Sequence, residues 1–366
     1  MSPPDACDAC LRRTHLLALL APHIERERHH RRLGGLLALT DDELVTGVGG
    51  VRRSWFARAL EVFDPGAARG EAAARELTVL CRHSQAFPAR LLEGVEAPAV
   101  LHVRGDLGAL PQATAPAAAV VGARRATPYG LEVARALGRG LAAAGLPVVS
   151  GMALGIDAAA HAGALEAGGP TIAVLAGGAD APYPRSKAAL YRRLAAAPGC
   201  CVVSEMPPGF VPFKWGFPAR NRIICGLADV TVVVEAAERS GSLITAEMAQ
   251  EAGRLVAAVP GAVTNPMAAG TNALLRDGAE LVRHAQDVLD GLLGPGVRVA
   301  RSGPDPSGLA PGLRTLLDRL GPRPATATTL LRPGEDADVV VAGLVELELT
   351  GFVRRAPGGA YVRAAG

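Results

Sequence analysis

The residues that could do chemistry in this chain cluster in short strings of glycine, serine and arginine. Six strings, Gly122-Ala-Arg-Arg125, Ser150-Gly-Met-Ala-Leu-Gly155, Ala176-Gly-Gly178, Ser204-Glu-Met-Pro207, Ser240-Gly-Ser242 and Pro260-Gly261, are dominated by small side chains. Such strings let backbone N–H groups and helix N-termini come close to an anion. Arg124, Arg125, Lys187, Lys214, Arg220, Arg222 and Arg239 fall in these loops or in the first turns after them. The pattern describes a cationic rim around a neutral backbone floor, suited to several phosphates rather than one. Asn221, between two arginines, can donate or accept near a nucleic-acid backbone or a base edge.

These strings need a scaffold that brings them together. The runs Ala119-Val-Val121, Pro147-Val-Val149, Thr171-Ile-Ala-Val-Leu175, Cys201-Val-Val203, Val230-Thr-Val-Val-Val234 and Leu255-Val-Ala-Ala-Val259 read as strands, each followed by a helical stretch. Successive runs start about 25 to 30 residues apart, the length of a strand plus a crossover helix, which predicts a doubly wound parallel α/β sheet of Rossmann-like type. In such a sheet all strand carboxyl ends share one edge, so the glycine-rich strings become neighbours. Thr127-Pro128 predicts a capped helix start, and Asp157 and Ser186 are expected to cap the next two helices.

Composition narrows the chemistry. Of 366 residues, 49% are hydrophobic but only 4% aromatic, so an aromatic platform for stacking bases is expected to be scarce. A net charge of +3 is too small to mark a nucleic-acid binder by itself, so the local clusters must carry that reading. Cys7 and Cys10 form the only C-x-x-C, and no second pair follows at metal-ligand spacing, so no metal is expected. Cys81, Cys200, Cys201 and Cys225 read as small reduced hydrophobes. No signal-peptide pattern and no run of about 18 apolar residues occurs, so a cytoplasmic protein without a membrane partner is expected.

Several enzyme classes are excluded by motif. The first strand is followed by Gly-Ala-Arg-Arg and not by G-x-G-x-x-G, so no dinucleotide cofactor is expected. The P-loop, the H-E-x-x-H helix and the G-x-S-x-G elbow are absent. Asp157, His161, Glu205, Glu235 and Glu247 remain as acid or base candidates; Asp157 and His161 are four apart on one helix face, where an N-cap carboxylate with a histidine one turn on is more often structural.

Flanking modules complete the layout. Residues 1–76 read as a small helical module, with Asp41 as a helix cap and Gly47-Val-Gly-Gly50 as a turn of helix-hairpin-helix (SAM-like) type or a plain packing turn. Glu25 to Arg32 reads as a solvated helix face. Residues 77–293 form the sheet domain, expected to fold, dimerise and bind its ligand alone, and 294–308 form a glycine- and proline-rich linker. Residues 309–366 read as three helices and a two-stranded ribbon, a winged helix whose third helix is acidic at Glu346 and Glu348 and so suits a protein contact better than a DNA groove.

Taken in order, Val121-Gly-Ala-Arg-Arg-Ala-Thr-Pro-Tyr-Gly130, Ser150-Gly-Met-Ala-Leu-Gly-Ile-Asp157 with His161, Phe217-Pro-Ala-Arg-Asn-Arg-Ile-Ile224, Ser240-Gly-Ser-Leu-Ile-Thr-Ala246, and Pro260-Gly261 with Gly270-Thr-Asn272 closely resemble the DprA (Smf) family of bacterial DNA-processing proteins. The resemblance implies a non-catalytic protein that binds single-stranded DNA, dimerises through its Rossmann-like domain, and helps to load the RecA recombinase in natural transformation and recombination. It places Gly122, Arg124, Arg125, Ser150, Gly151, Gly155, Lys187, Arg220, Asn221, Arg222, Ser240, Gly241, Ser242 and Thr245 on the DNA and phosphate path. On this reading, replacing Arg220 and Arg222 by Glu weakens binding and leaves the fold intact. Cys7-Asp-Ala-Cys10 has no counterpart in the resemblance. The alternative from another class is a nucleoside monophosphate phosphoribohydrolase, since that superfamily shares the fold; here Glu247 is a loose counterpart of the catalytic acid, within a loop that lacks the P-G-G-x-G-T pattern.

Overall fold

A computed structural model of the chain describes residues 6–27, 33–94, 96–111, 115–297, 309–321 and 324–363. Residues 298–308 of the expected linker and residues 28–32 of the basic stretch lie outside the described residues. The chain divides into two compact units, Met1–Arg298 and Val299–Gly366.

The first unit opens with helices α1 (Asp8–Glu27), α2 (Leu33–Leu37), α3 (Asp41–Gly49), α4 (Arg53–Glu61) and α5 (Pro65–Ala74). The cap of α3 is Thr40, not Asp41: Thr40 and Glu43 form a reciprocal capping box, and Asp41 is the first helical residue. Gly47 to Gly49 belong to α3 itself, and the turn into α4 is a single 3-10 turn, Gly50–Arg52.

A nine-stranded sheet follows: β1 (Thr78–Cys81), β2 (Val100–Gly105), β3 (Ala118–Val121), β4 (Val148–Ser150), β5 (Thr171–Val174), β6 (Cys200–Ser204), β7 (Val230–Val233), β8 (Leu255–Ala258) and β9 (Glu280–Leu281). Their order is β1-β2-β6-β5-β4-β3-β7-β8-β9. Strands β3 to β9 pair in parallel, whereas β1 and β2 form an antiparallel edge that the repeating strand-helix unit does not announce. From β3 the chain winds outward to β6, then restarts at β7 on the other side of β3. The topological switch point therefore lies between β3 and β7, where a doubly wound sheet opens its crevice.

The crossovers are α6 (Pro128–Ala143), α7 (Ile156–Glu166), α8 (Ala188–Ala196), α9 (Gly216–Gly226), α10 (Gly241–Glu251), α11 (Ala269–Arg276) and α12 (Ala285–Leu293). Alternation along the strands gives each face its own core. Ile223 and Ile224 of α9 with Ala246 and Ala249 of α10 pack with Ala119, Val121, Val149, Ile172 and Val174. On the opposite side, Tyr191 and Leu194 of α8 pack with Ala173 and Val202. Thr127 caps α6 as expected, accepting from the Gly130 N–H. The two other expected caps are displaced. Gly155 is the N-cap of α7, with Asp157 inside the first turn, and Lys187 precedes α8 while Ser186 lies in the 3-10 turn Arg185–Lys187.

The helical module and the sheet differ in composition but share cores. Leu16, Leu20 and Ile24 of α1, Leu44 of α3 and Phe56 of α4 enclose Met206, Trp215 and Ala219. Trp215 is 1% exposed and donates its indole N–H to Ala21 O at 3.0 Å. At the other end of α1, Cys7 and Cys10 pack beside Cys81, and their thiols reach His83. Cys81 is thus one of a cluster of ligand-type side chains, supplied from over 70 residues along the chain, where no local spacing could reveal it.

The second unit contains α13 (Pro311–Arg319), α14 (Ala327–Leu330), α15 (Ala337–Leu349), and the ribbon of β10 (Val353–Ala356) and β11 (Ala360–Arg363), joined by Pro357–Gly359. Its core is Leu316, Leu317, Leu344, Leu347, Val353 and Tyr361. This is the expected winged-helix order. Glu346 is exposed, and Glu348 pairs with Arg355 of the ribbon at 3.0 Å.

Candidate functional site

The carboxyl edge of the sheet is built on a buried arginine. Arg220, 7% exposed, reaches from α9 under the loops and donates to Gly151 O and Val174 O, each at 2.5 Å. One side chain thereby joins the ends of β4 and β5 to α9. Glycine at 151 makes room for this contact, because a Cβ there would displace the Arg220 guanidinium. Asp157, also buried, takes an N–H from Ala153 at 3.2 Å and lies in the field of Arg220. Burial pushes the Asp157 carboxyl up, opposed by the positive charge of Arg220. Burial lowers the Arg220 guanidinium to about 10, partly offset by Asp157. The sequence alone suggests an exposed rim position for Arg220; the structure puts it underneath the floor.

His161 is fully buried and bonded through Nδ1 to Thr171 Oγ1 at 2.7 Å, while Thr171 donates to Val148 O. Burial, and then the charge of Arg220, lower its pKa to about 3, so the imidazole is neutral at physiological pH. Ser150 is likewise buried, its hydroxyl donating to Val120 O at 2.6 Å. Arg222 pairs with Glu205 at 2.5 Å, and both are largely buried. With Arg13, Thr40 and His83, that pair lines a cavity beside the helical module.

At the switch point the N-terminus of α6 is already occupied. Glu235, 2% exposed at the end of β7, accepts from the Thr127 N–H and hydroxyl. Gly130 gives the carboxylate its room, since a Cβ at 130 would overlap it. A dinucleotide pyrophosphate would need this volume and these donors. At α10, Ser240 is the N-cap, accepting from the Ser242 N–H, with the two hydroxyls 2.8 Å apart. Gly241 is exposed, while Ser242 and Thr245 are buried.

At α7 the N-terminus has no side-chain cap. Its N-cap, Gly155, offers no side chain to the first N–H groups, and the helix starts against the loop after β3, where the Ile156 N–H bonds to Ala123 O. Gly122 is half-buried in that loop, and Arg124 and Arg125 are exposed. The Arg124 guanidinium lies 4.9 Å from the centroid of the Phe217 ring, and Phe217 packs on Tyr183 at 5.6 Å. Tyr183 is 43% exposed. Lys214, exposed, stands just before α9, and Lys187, half-buried, lies four residues beyond Tyr183. Asn221 is half-buried and accepts from Arg220 Nε.

The structure therefore unites Arg124, Ser150, Gly151, Gly155, Arg220 and Asn221, with Arg220 as support. Arg222 points into the cavity by the helical module, and the Ser240 loop lies beyond β7. Tyr183 and Phe217 are not among the site residues expected from sequence. The low aromatic content hides them, although Phe217 heads the Phe-Pro-Ala-Arg-Asn-Arg string.

Comparisons with known proteins agree with this layout. Residues 78–293 match the family model described as DNA recombination-mediator protein A, and residues 300–359 match the DprA winged helix domain. The chain is 39% identical over 287 residues to Protein Smf of Escherichia coli, covering 76% of this chain and 75% of that one. It is 40% identical over 235 residues to DNA processing protein DprA of Bacillus subtilis, covering 64% and 78%. Among solved structures, DprA from Streptococcus pneumoniae superposes with a TM-score of 0.61 at 34% identity, covering 76% of this chain and 95% of that one. DNA processing protein A from Helicobacter pylori, whose structure is described as giving insight into a single-stranded DNA binding mode, superposes with a TM-score of 0.52 at 32% identity, covering 57% and 93%.

Proposed function

Because the chain belongs to the DNA recombination-mediator protein A family, we propose that it binds single-stranded DNA along the carboxyl edge of its parallel sheet. The observation that carries the proposal is the exposed Arg124 held over Phe217, beside the uncapped N-terminus of α7. A phosphate at the rim of that loop meets the Arg124 guanidinium and the positive end of α7 together. Tyr183 and Phe217 offer aromatic surface to an unstacked base, which duplex DNA does not present. Gly122, Arg125, Gly155, Lys187, Asn221, Ser240 and Gly241 extend the path, while Ser150, Gly151, Arg220, Arg222, Ser242 and Thr245 act from below as its framework.

The role is binding rather than catalysis. His161 is held neutral in the core, Glu205 is paired with Arg222 and Glu235 caps α6, which leaves Glu247, exposed on α10, as the unengaged acid of the phosphoribohydrolase reading. No helix among the described residues is long and apolar enough to cross a membrane. Family membership supports a homodimer that protects single strands and passes them to a RecA-type recombinase. Competition of labelled oligo-dT with unlabelled oligo-dT and blunt duplex tests the reading. Strong competition by the single strand and weak competition by the duplex is expected; equal competition, or release of adenine from AMP, overturns it.

A further inference from the structure

We propose that Cys7, Cys10, Cys81 and His83 form a tetrahedral site for a single zinc ion, which clamps the start of α1 to the edge strand β1. Their four ligand atoms all lie within 4.8 Å of one another. His83 Nδ1 is 3.3 Å from Cys7 Sγ and 3.5 Å from Cys10 Sγ. A zinc tetrahedron with Zn–S bonds of about 2.3 Å and Zn–N of about 2.0 Å has edges of about 3.5 to 3.8 Å, so His83 stands at the spacing of a mononuclear site from two of the thiols, and small side-chain shifts bring the set to it. An iron–sulfur cluster places its thiolates farther apart and would not fit.

Two further features favour a metal over a simple packing of thiols. His83 is exposed, yet its Nδ1 faces two buried or half-buried thiols rather than water. The Cys7 N–H points at Cys81 Sγ at 3.5 Å, the kind of outer hydrogen bond that steadies a thiolate ligand. Three thiolates and an imidazole are soft enough to select zinc over magnesium or calcium. Such a site carries one net negative charge, which the adjacent Arg82 can offset.

The clamp has a definite mechanical place. Cys7 and Cys10 lie just before and in the first turn of α1, Cys81 ends β1 and His83 is in the turn after it. The helix so fixed carries Leu16, Leu20 and Ile24 onto Trp215. Zinc would then hold the helical module on the sheet at edge strand β1, which has no further strand beside it among the described residues.

The test uses the full chain under reducing conditions. Metal analysis of the purified protein should find one zinc per chain. Cobalt added to the stripped protein should give the intense visible absorption of a tetrahedral thiolate site, bleached by zinc. Cys7→Ser and His83→Ala should lose zinc, whereas Cys200→Ser and Cys225→Ser should keep it. A chelator should lower the Tm of the parent by about 5 °C or more and leave that of His83→Ala unchanged. No tetrahedral cobalt signal from the reduced parent, or zinc content unaffected by both Cys7→Ser and His83→Ala, would overturn the proposal; the cobalt result does not depend on any variant folding.

Discussion

The Glu235 carboxylate binds Thr127, the N-cap of the first crossover helix, accepting from the Thr127 N–H at 2.8 Å and from its hydroxyl at 2.5 Å. It fills the anion position that a dinucleotide-binding sheet leaves for its cofactor. We predict no measurable binding of NADH or ATP by calorimetry. Glu235→Ala should cost about 1–3 kcal/mol in urea unfolding, because the half-buried donors at Thr127 lose their acceptor. A neutral Glu235→Ala would mean that water replaces the carboxylate.

Arg220 is expected to matter first for folding. Its replacement by Ala strips Gly151 O and Val174 O of their donor and leaves Asp157 without its nearby charge, a loss of about 3–5 kcal/mol. The double change of Arg220 and Arg222 to Glu would add a carboxylate beside Glu205, so it should unfold the protein rather than leave an intact fold with weakened binding. Circular dichroism melts of both variants check this; native-like melts would return Arg220 to the exposed rim.

His161 should make the protein acid-sensitive. Its folded pKa of about 3 lies below the ordinary 6.5, so the unfolded chain takes up a proton that the folded chain refuses. The stabilisation is fully present above pH 6.5 and is lost as pH falls toward 3. Between about pH 7 and about pH 5 the loss is about 2 kcal/mol. His161→Gln should therefore lose about 2 kcal/mol less than the parent over that interval, measured by urea unfolding at the two pH values. Equal losses would show that His161 titrates normally in the folded protein.

Removal of the helical module should damage the sheet domain. A fragment beginning at Leu77 keeps Trp215 as its single tryptophan and strips away the α1, α3 and α4 side chains that bury it. Its emission should be red-shifted and its Tm several degrees below that of the full chain. A blue emission with an unchanged Tm would restore the independent central domain expected from sequence.

Much of the architecture is legible in the sequence because it is local. Six β-branched runs at crossover spacing mark β3 to β8, and the Thr127-Pro128 cap and the Pro357 turn follow from single residues. The rest depends on contacts between distant segments. Arg220 reads as a surface charge until Gly151 and Val174 are seen above it. Likewise, Cys81 and His83 have no local partner, and the stack of Arg124 on Phe217 joins residues more than 90 apart. The edge pair β1 and β2 escapes a reading by period because it is antiparallel and follows no crossover rhythm.

The most direct test of the central claim is the salt dependence of oligo-dT binding, measured for the full chain and for Arg124→Ala. Arg124 is exposed and stacks on Phe217, so its removal should leave the melt unchanged. The account predicts at least about tenfold weaker binding and a log–log salt slope shallower by about 0.7 for each phosphate that the variant no longer neutralises. An Arg124→Ala protein with parental affinity and parental slope would contradict it.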